Sequence, residues 1–191
     1  MGRDISKEEF SQEDFREFHQ RLREESLLLM DWFKNDAFEP CVEMCGFELE
    51  MWLIDRNHQT LPSNEEFLRR VGNYLVVPEL SKFNFEINST PHPLKGPLLS
   101  TLEKELTHLV DWCAHHAGEM DAKILSVGIL PTLKDDMLAL DRLSPNKRYA
   151  ALNRQVLRLR GDRPLKIDIE GNDTLSVEHH DVMVEAAATS L

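Results

Sequence analysis

Alternation with a period of two marks two segments of the chain. In 46–53, Phe47, Leu49, Met51 and Leu53 fall on one side, and Glu48 and Glu50 fall on the other, followed there by Trp52. In 83–90, Phe83, Phe85 and Ile87 share one side, and Asn84, Glu86, Asn88 and Thr90 share the opposite one. Successive side chains of a strand point to opposite faces, so each segment reads as a strand with one apolar and one polar face. The first strand is expected over 42–54, closed by the polar turn Asp55-Arg56-Asn57-His58, and the second over about 82–89. Thr90-Pro91-His92-Pro93 must leave the sheet, because proline donates no hydrogen bond to a ladder. Leu165 to Ile169 alternates as a further strand, and the β-branched run Lys123 to Ile129 reads as a buried one.

Helical spacing accounts for most of the remainder. Ser6 with Glu9 three residues on has the form of a capping box, and Phe15, Phe18 and Leu22 continue at helical spacing to about Lys34. A leading amphipathic helix is therefore expected within 1–38. A short helix is expected over 64–72, and one of about 25 residues from Pro97 onward, its stripe being Leu99, Leu102, Leu106, Leu109 and Cys113. Ser144-Pro145 is a start signal for another, with Tyr149, Leu152, Val156 and Leu159 as its buried stripe and Gly161 at its end. From Asp181 to Leu191 the residues are good helix formers with no stop signal, which suggests the amino-terminal part of a longer polypeptide. The elements add up to a single α+β domain over 1–191, with helices flanking a largely antiparallel sheet.

Composition narrows the partners. The chain is 41% hydrophobic and 29% charged, as globular domains are, and its formal net charge of −12 disfavours nucleic acid and anionic membrane surfaces, both of which require a basic face. The amino terminus shows no apolar leader and no segment is apolar enough for a span, so a cytoplasmic protein is expected. Cys41, Cys45 and Cys113 are odd in number and scattered, which suits reduced thiols, and no second pair follows at zinc spacing.

The polar faces of the two alternating strands carry the candidate chemistry. If those strands share a sheet, Glu48, Glu50 and Glu86 converge with Asn84 and Asn88 on one surface. Crowded carboxylates repel one another, and divalent cations relieve the repulsion; a phosphate-bearing substrate would supply the remaining oxygens that Mg²⁺ prefers. Arg148 lies beside the apolar stripe of its helix, where a guanidinium needs an anionic partner: a core carboxylate, a phosphate or a substrate carboxylate. Tyr149, heading the stripe, reads as core. His115-His116 falls near a helix end, where imidazolium complements the dipole, and His179-His180 is a lesser candidate for a site. Arg154, Arg158, Arg160 and Arg163 read chiefly as a solvated, salt-bridged face.

In order along the chain, Gly46-Phe47-Glu48-Leu49-Glu50, Glu86-Ile87-Asn88-Ser89-Thr90-Pro91 and Arg148-Tyr149 resemble the glutamate-cysteine ligase family, in its bacterial carboxylate-amine ligase branch. The resemblance runs from about residue 42 to the end. It implies a glutamine synthetase-like fold, with a curved antiparallel sheet whose concave face holds ATP and Mg²⁺ or Mn²⁺. It implies, too, a reaction in which ATP activates a glutamate-like carboxylate as an acyl phosphate that an amine such as cysteine captures, as in glutathione biosynthesis. On that likeness Glu48, Glu50 and Glu86 would be metal ligands, Asn84, Asn88 and Arg148 would contact the nucleotide, and Arg148 would serve catalysis. Where many family members carry Gly-x-His-Pro, this chain reads Gly128-Ile129-Leu130-Pro131. The missing histidine supports an alternative, a binding or regulatory module derived from the same fold, and a metal-dependent phosphohydrolase is a third reading. The sequence leaves the oligomeric state open, and a sheet edge left by truncation would be an association site through which a homo-oligomer could form.

Overall fold

The computed structural model describes residues 5–38 and 41–179. These form an α+β arrangement with four α-helices and three antiparallel sheets. Helix α1 spans Gln12–Lys34. It is followed by the two-residue strand β1 (Met44–Cys45), strand β2 (Glu48–Ile54), helix α2 (Asn64–Val71), and strands β3 (Val76–Pro78), β4 (Asn84–Asn88) and β5 (His92–Pro93). Helix α3 (Leu98–Gly118), strand β6 (Lys123–Leu125), two 3₁₀ turns (Asp135–Leu138 and Leu140–Arg142), helix α4 (Lys147–Leu159) and the hairpin β7 (Leu165–Glu170) and β8 (Thr174–His179) complete the order.

The central sheet has strand order β3-β4-β2-β6. Its apolar face follows from the alternation: Met51 and Leu53 of β2 and Phe85 and Ile87 of β4 are buried against Phe67 and Val71 of α2 and Leu109, Cys113 and Ala117 of α3. Helices α2 and α3 thus cover one side of the sheet and leave the glutamates on the other. That second side is itself closed at one end. Trp52, Ile54, Phe83 and Leu130 form a separate cluster, in which Trp52 stacks on Phe83 with centroids 5.6 Å apart and donates its Nε1–H to the Val127 carbonyl.

Phe83 does not share a face with Phe85 and Ile87. The Asn84 amide donates to the Ser81 carbonyl, so a turn precedes the regular strand and resets the alternation, placing Phe83 against Trp52. The expected strand 42–54 is likewise broken. Phe47 and Ser89 exchange hydrogen bonds through the Ser89 Oγ and backbone, and β1 pairs with β5 instead of continuing into β2. Gly46 sits at that break, where a Cβ would meet Ser89 Oγ at 3.2 Å.

Helix ends also moved. The capping box of α1 is Ser11 with Asp14, not Ser6 with Glu9: Ser11 Oγ accepts from the Asp14 amide, and the Asp14 carboxylate accepts from the Ser11 amide at 2.7 Å. Hydrogen bonds from Lys7 and Ser11 hold the Asp14 carboxyl down at about 2. Helix α4 starts after Asn146, because Ser144 is buried and its hydroxyl already serves the Glu79 carbonyl and the Asn64 amide. Of its expected stripe only Tyr149 is buried; Leu152 and Leu159 are exposed. In α3 the buried position is Leu98 in place of Leu99. The run Lys123 to Ile129 yields only the edge strand β6, and Ile129 is exposed. The expected helix from Asp181 lies outside the described residues.

Candidate functional site

Strands β2 and β4 pair antiparallel in a register that sets Glu48 opposite Asn88, Glu50 opposite Glu86 and Trp52 opposite Asn84. Opposed residues of an antiparallel pair share a face, so the three glutamates and two asparagines expected on one surface are brought to it. They are not equally accessible. Glu48 is exposed at the open end, Glu50 is half-buried, and Glu86 is buried. Asn88 Nδ2 donates to Glu86 Oε1 at 2.7 Å, satisfying part of the Glu86 carboxylate. Asn84 is only 1% exposed, set among the core groups beside Trp52, with its Nδ2 3.5 Å from the Met51 carbonyl. That carboxamide is out of reach of a ligand on the surface of the face. A recess of about 470 Å³, lined by Gly46, Phe47, Glu48, Asn88, Ser89 and Pro91, opens at the Glu48 end. Its volume lies in the range of small-molecule sites.

A fourth carboxylate joins the three. Burial and the charges of Glu86 and Glu48 push the Glu50 carboxyl above its usual range. Glu79, which follows directly on β3, is raised by burial and then by Glu50 and Glu86, with Arg148 opposing the rise. Glu79, Glu50 and Glu86 therefore share one electrostatic field, and α4 brings Arg148 to its edge. Arg148 Nη2 donates to the Tyr149 hydroxyl at 2.7 Å, and the guanidinium lies over the Tyr149 ring at 4.7 Å. Tyr149 is 7% exposed, packed with Leu80 and Leu143, and burial raises its hydroxyl. Glu79 escaped the sequence reading because the Val76–Pro78 strand is too short to show a period; the available signal was a carboxylate directly after a Val-Val-Pro run.

Among the described residues, no group of three or more His, Cys, Asp or Glu side chains stands close enough to hold a metal ion as the side chains lie. The donor set still fits Mg²⁺ in the form in which proteins commonly hold it, through one or two carboxylates with phosphate oxygens completing the shell. Glu50 and Glu86 supply that pair, and the Glu50 carboxyl is raised first by burial and then by the charges of Glu86 and Glu48. His115 and His116 meet Glu119 at the end of α3, Arg154 pairs with Glu8 and Glu9, and all three cysteines are free thiols. Of the pair His179-His180, only the backbone of His179, at the end of β8, is among the described residues. Among the described residues, no helix is long and apolar enough to cross a membrane. Comparison with known protein families, characterised proteins and solved structures finds no match for this chain.

Proposed function

We propose that the chain carries the acidic half-site of an ATP-dependent carboxylate-amine ligase resembling the glutamate-cysteine ligases, with a glutamine synthetase-like curved sheet as its framework. The observation that carries the reading is the register of β2 on β4, which sets Glu50 directly across from Glu86, with Glu79 and Arg148 in the same field. Glu50 and Glu86, with Glu48 at the open end, would hold Mg²⁺ or Mn²⁺. Those ions, when bound with ATP, supply the charge neutralisation that phosphoryl transfer to a carboxylate needs. Arg148, held in place by Tyr149, is the cation positioned to bind a transferring phosphoryl group or a substrate carboxylate. Asn88 fixes the orientation of the Glu86 carboxylate through its 2.7 Å hydrogen bond. The chemistry balances without a protein nucleophile. The carboxylate takes the γ-phosphoryl group and ADP leaves; the amine nitrogen then attacks the acyl carbon, phosphate departs and the amide forms with loss of a proton.

A second reading, a binding or regulatory module that keeps this sheet without turnover, is favoured by the sequence Gly128-Ile129-Leu130-Pro131 and by the spread of the carboxylates. One experiment separates the two. The full-length protein is incubated with ATP, Mg²⁺, glutamate and cysteine or other amines, and ADP, free phosphate and amide are measured beside the melting temperature. The ligase reading expects amine-dependent ADP and amide, and a stabilisation by Mg²⁺-ATP that disappears in Glu50→Gln. Stabilisation without turnover selects the binding module, and phosphate release without an amine selects a phosphohydrolase. A melting temperature that Mg²⁺-ATP leaves unchanged removes the nucleotide site altogether.

A further inference from the structure

A recess of about 370 Å³ opens between the second 3₁₀ turn, helix α4 and the segment that leads into α1. Its volume suits a small molecule. Leu140, Leu143, Pro145 and Leu157 supply apolar walls, and Glu8 reaches it from the segment before α1. On α4 the recess is lined by Lys147, Ala150, Asn153, Arg154 and Leu157. At about 100° per residue these fall within about 60° of one line along the helix, and Arg148 lies about 160° round from that line. The recess is therefore separate from the Glu50 face, and what it binds does not depend on the ligase reading.

Two features of the recess have no use within the fold. The first is Asn153. It is only 3% exposed, and its carboxamide forms no hydrogen bond among the described residues. A buried amide without a partner is a cost that an apolar side chain of the same shape would remove. The second is charge. Both carboxylates of the recess already face a cation, Glu8 meeting Arg154 at 3.4 Å and Asp141 meeting Arg142 at 3.8 Å. Lys82 and Lys147 donate only to neutral carbonyls, those of Asp141 at 2.8 Å and Ser6 at 3.3 Å. Neither lysine forms an ion pair among the described residues, although the chain has a net charge of −12. We propose that the recess binds a small organic anion with an apolar body. The body lies against the leucine walls, a carboxylate or phosphate head is drawn to the two ammonium groups, and a polar edge meets the Asn153 carboxamide, which can donate or accept. A neutral guest would leave the lysines without a counter-charge, and a cation would be repelled by them.

Nuclear magnetic resonance of the full ¹⁵N-labelled chain tests the proposal, with indole-3-propionate as the probe and indole-3-propionamide as its neutral counterpart. The acid carries all three parts: an apolar ring, an N–H and a carboxylate. Saturable shifts are expected in α4 and in the Asn153 side-chain amide, with the acid bound about tenfold or more tightly than the amide, the worth of one charge-assisted hydrogen bond. Lys82→Ala with Lys147→Ala should abolish that preference. Asn153→Leu should weaken the acid about tenfold without lowering the melting temperature, because the carboxamide holds nothing else in place. Phenylacetate and benzyl phosphate, which share a body, then tell a carboxylate ligand from a phosphate one. Equal binding of acid and amide overturns the proposal, as does an acid preference that survives loss of both lysines. Shifts confined to residues outside the recess, or no saturable shift by about 10 mM, overturn it as well. Undiminished binding in Asn153→Leu, or a fall in its melting temperature, makes Asn153 a structural residue and overturns its assignment to the ligand.

Discussion

Replacing Glu50 by glutamine measures the electrostatic load that the strand register imposes on the polar face. Glu50 stands directly across from Glu86. Directly opposed residues have Cβ atoms about 4.5–5.5 Å apart, which leaves the two carboxylates within about 6 Å of each other. Coulomb repulsion at that distance is about 0.7 kcal/mol in bulk water and about 3 kcal/mol at an effective dielectric constant of about 20. Glu50 still reaches solvent, and Asn88 draws off part of the Glu86 charge, so the lower end applies. Glu50→Gln is therefore expected to stabilise the protein by about 1 kcal/mol at neutral pH, or about 2–4 °C in melting temperature for a chain of this length.

The sign with pH follows from the same groups. Burial, Glu86 and Glu48 raise the Glu50 carboxyl above 4.5, so the folded state binds more protons there than the unfolded chain does. Stability falls as pH rises through the window above that value, and the penalty is absent below it. Urea unfolding of both proteins at about pH 4 and about pH 8 reads the effect, with the advantage of glutamine present only at the higher pH. An equal advantage at both values, or none at pH 8, would refute the repulsion. Saturating Mg²⁺ with nucleotide should reverse the order, since only the wild type would gain by binding.

Asn64 is 1% exposed, and its Nδ2 group lies 3.0–3.1 Å from the Ser81 carbonyl, the Asn84 carbonyl and Ser144 Oγ, among which it shares its two N–H donors. Asn64→Ala leaves those buried acceptors short of a donor and should cost about 2–4 kcal/mol in urea unfolding; an unchanged midpoint would show that other groups satisfy them. Burial pushes the Cys113 thiol up to about 12. In the native protein a thiol reagent should therefore label exposed Cys41 and spare Cys113 until denaturant unfolds the core, and peptide mapping that finds Cys113 labelled early would contradict that burial.

Periodicity made the centre of the fold legible. Both alternating segments became neighbouring strands, and because alternation assigns each side chain a face without reference to any other element, Glu48, Glu50, Glu86 and Asn88 could be placed together from the sequence. Helix α2 was legible for the same reason, and α3 in all but its first turn. What the sequence could not fix was anything decided by a partner distant in the chain. Phe83 changed faces at the turn where Ser81 bridges to Leu143 and the Lys82 amide donates to the Arg142 carbonyl, and Ser144 lost its capping role because Asn64, eighty residues earlier, claims its hydroxyl. Glu79 entered the acidic field only through the pairing of β3 on β4, and Arg148 met it only through the docking of α4. An apolar stripe in the sequence shows that a surface wants covering, and tertiary structure decides whether it is covered. The stripe of α3 is covered by the sheet, whereas that of α1 is left uncovered by the described residues.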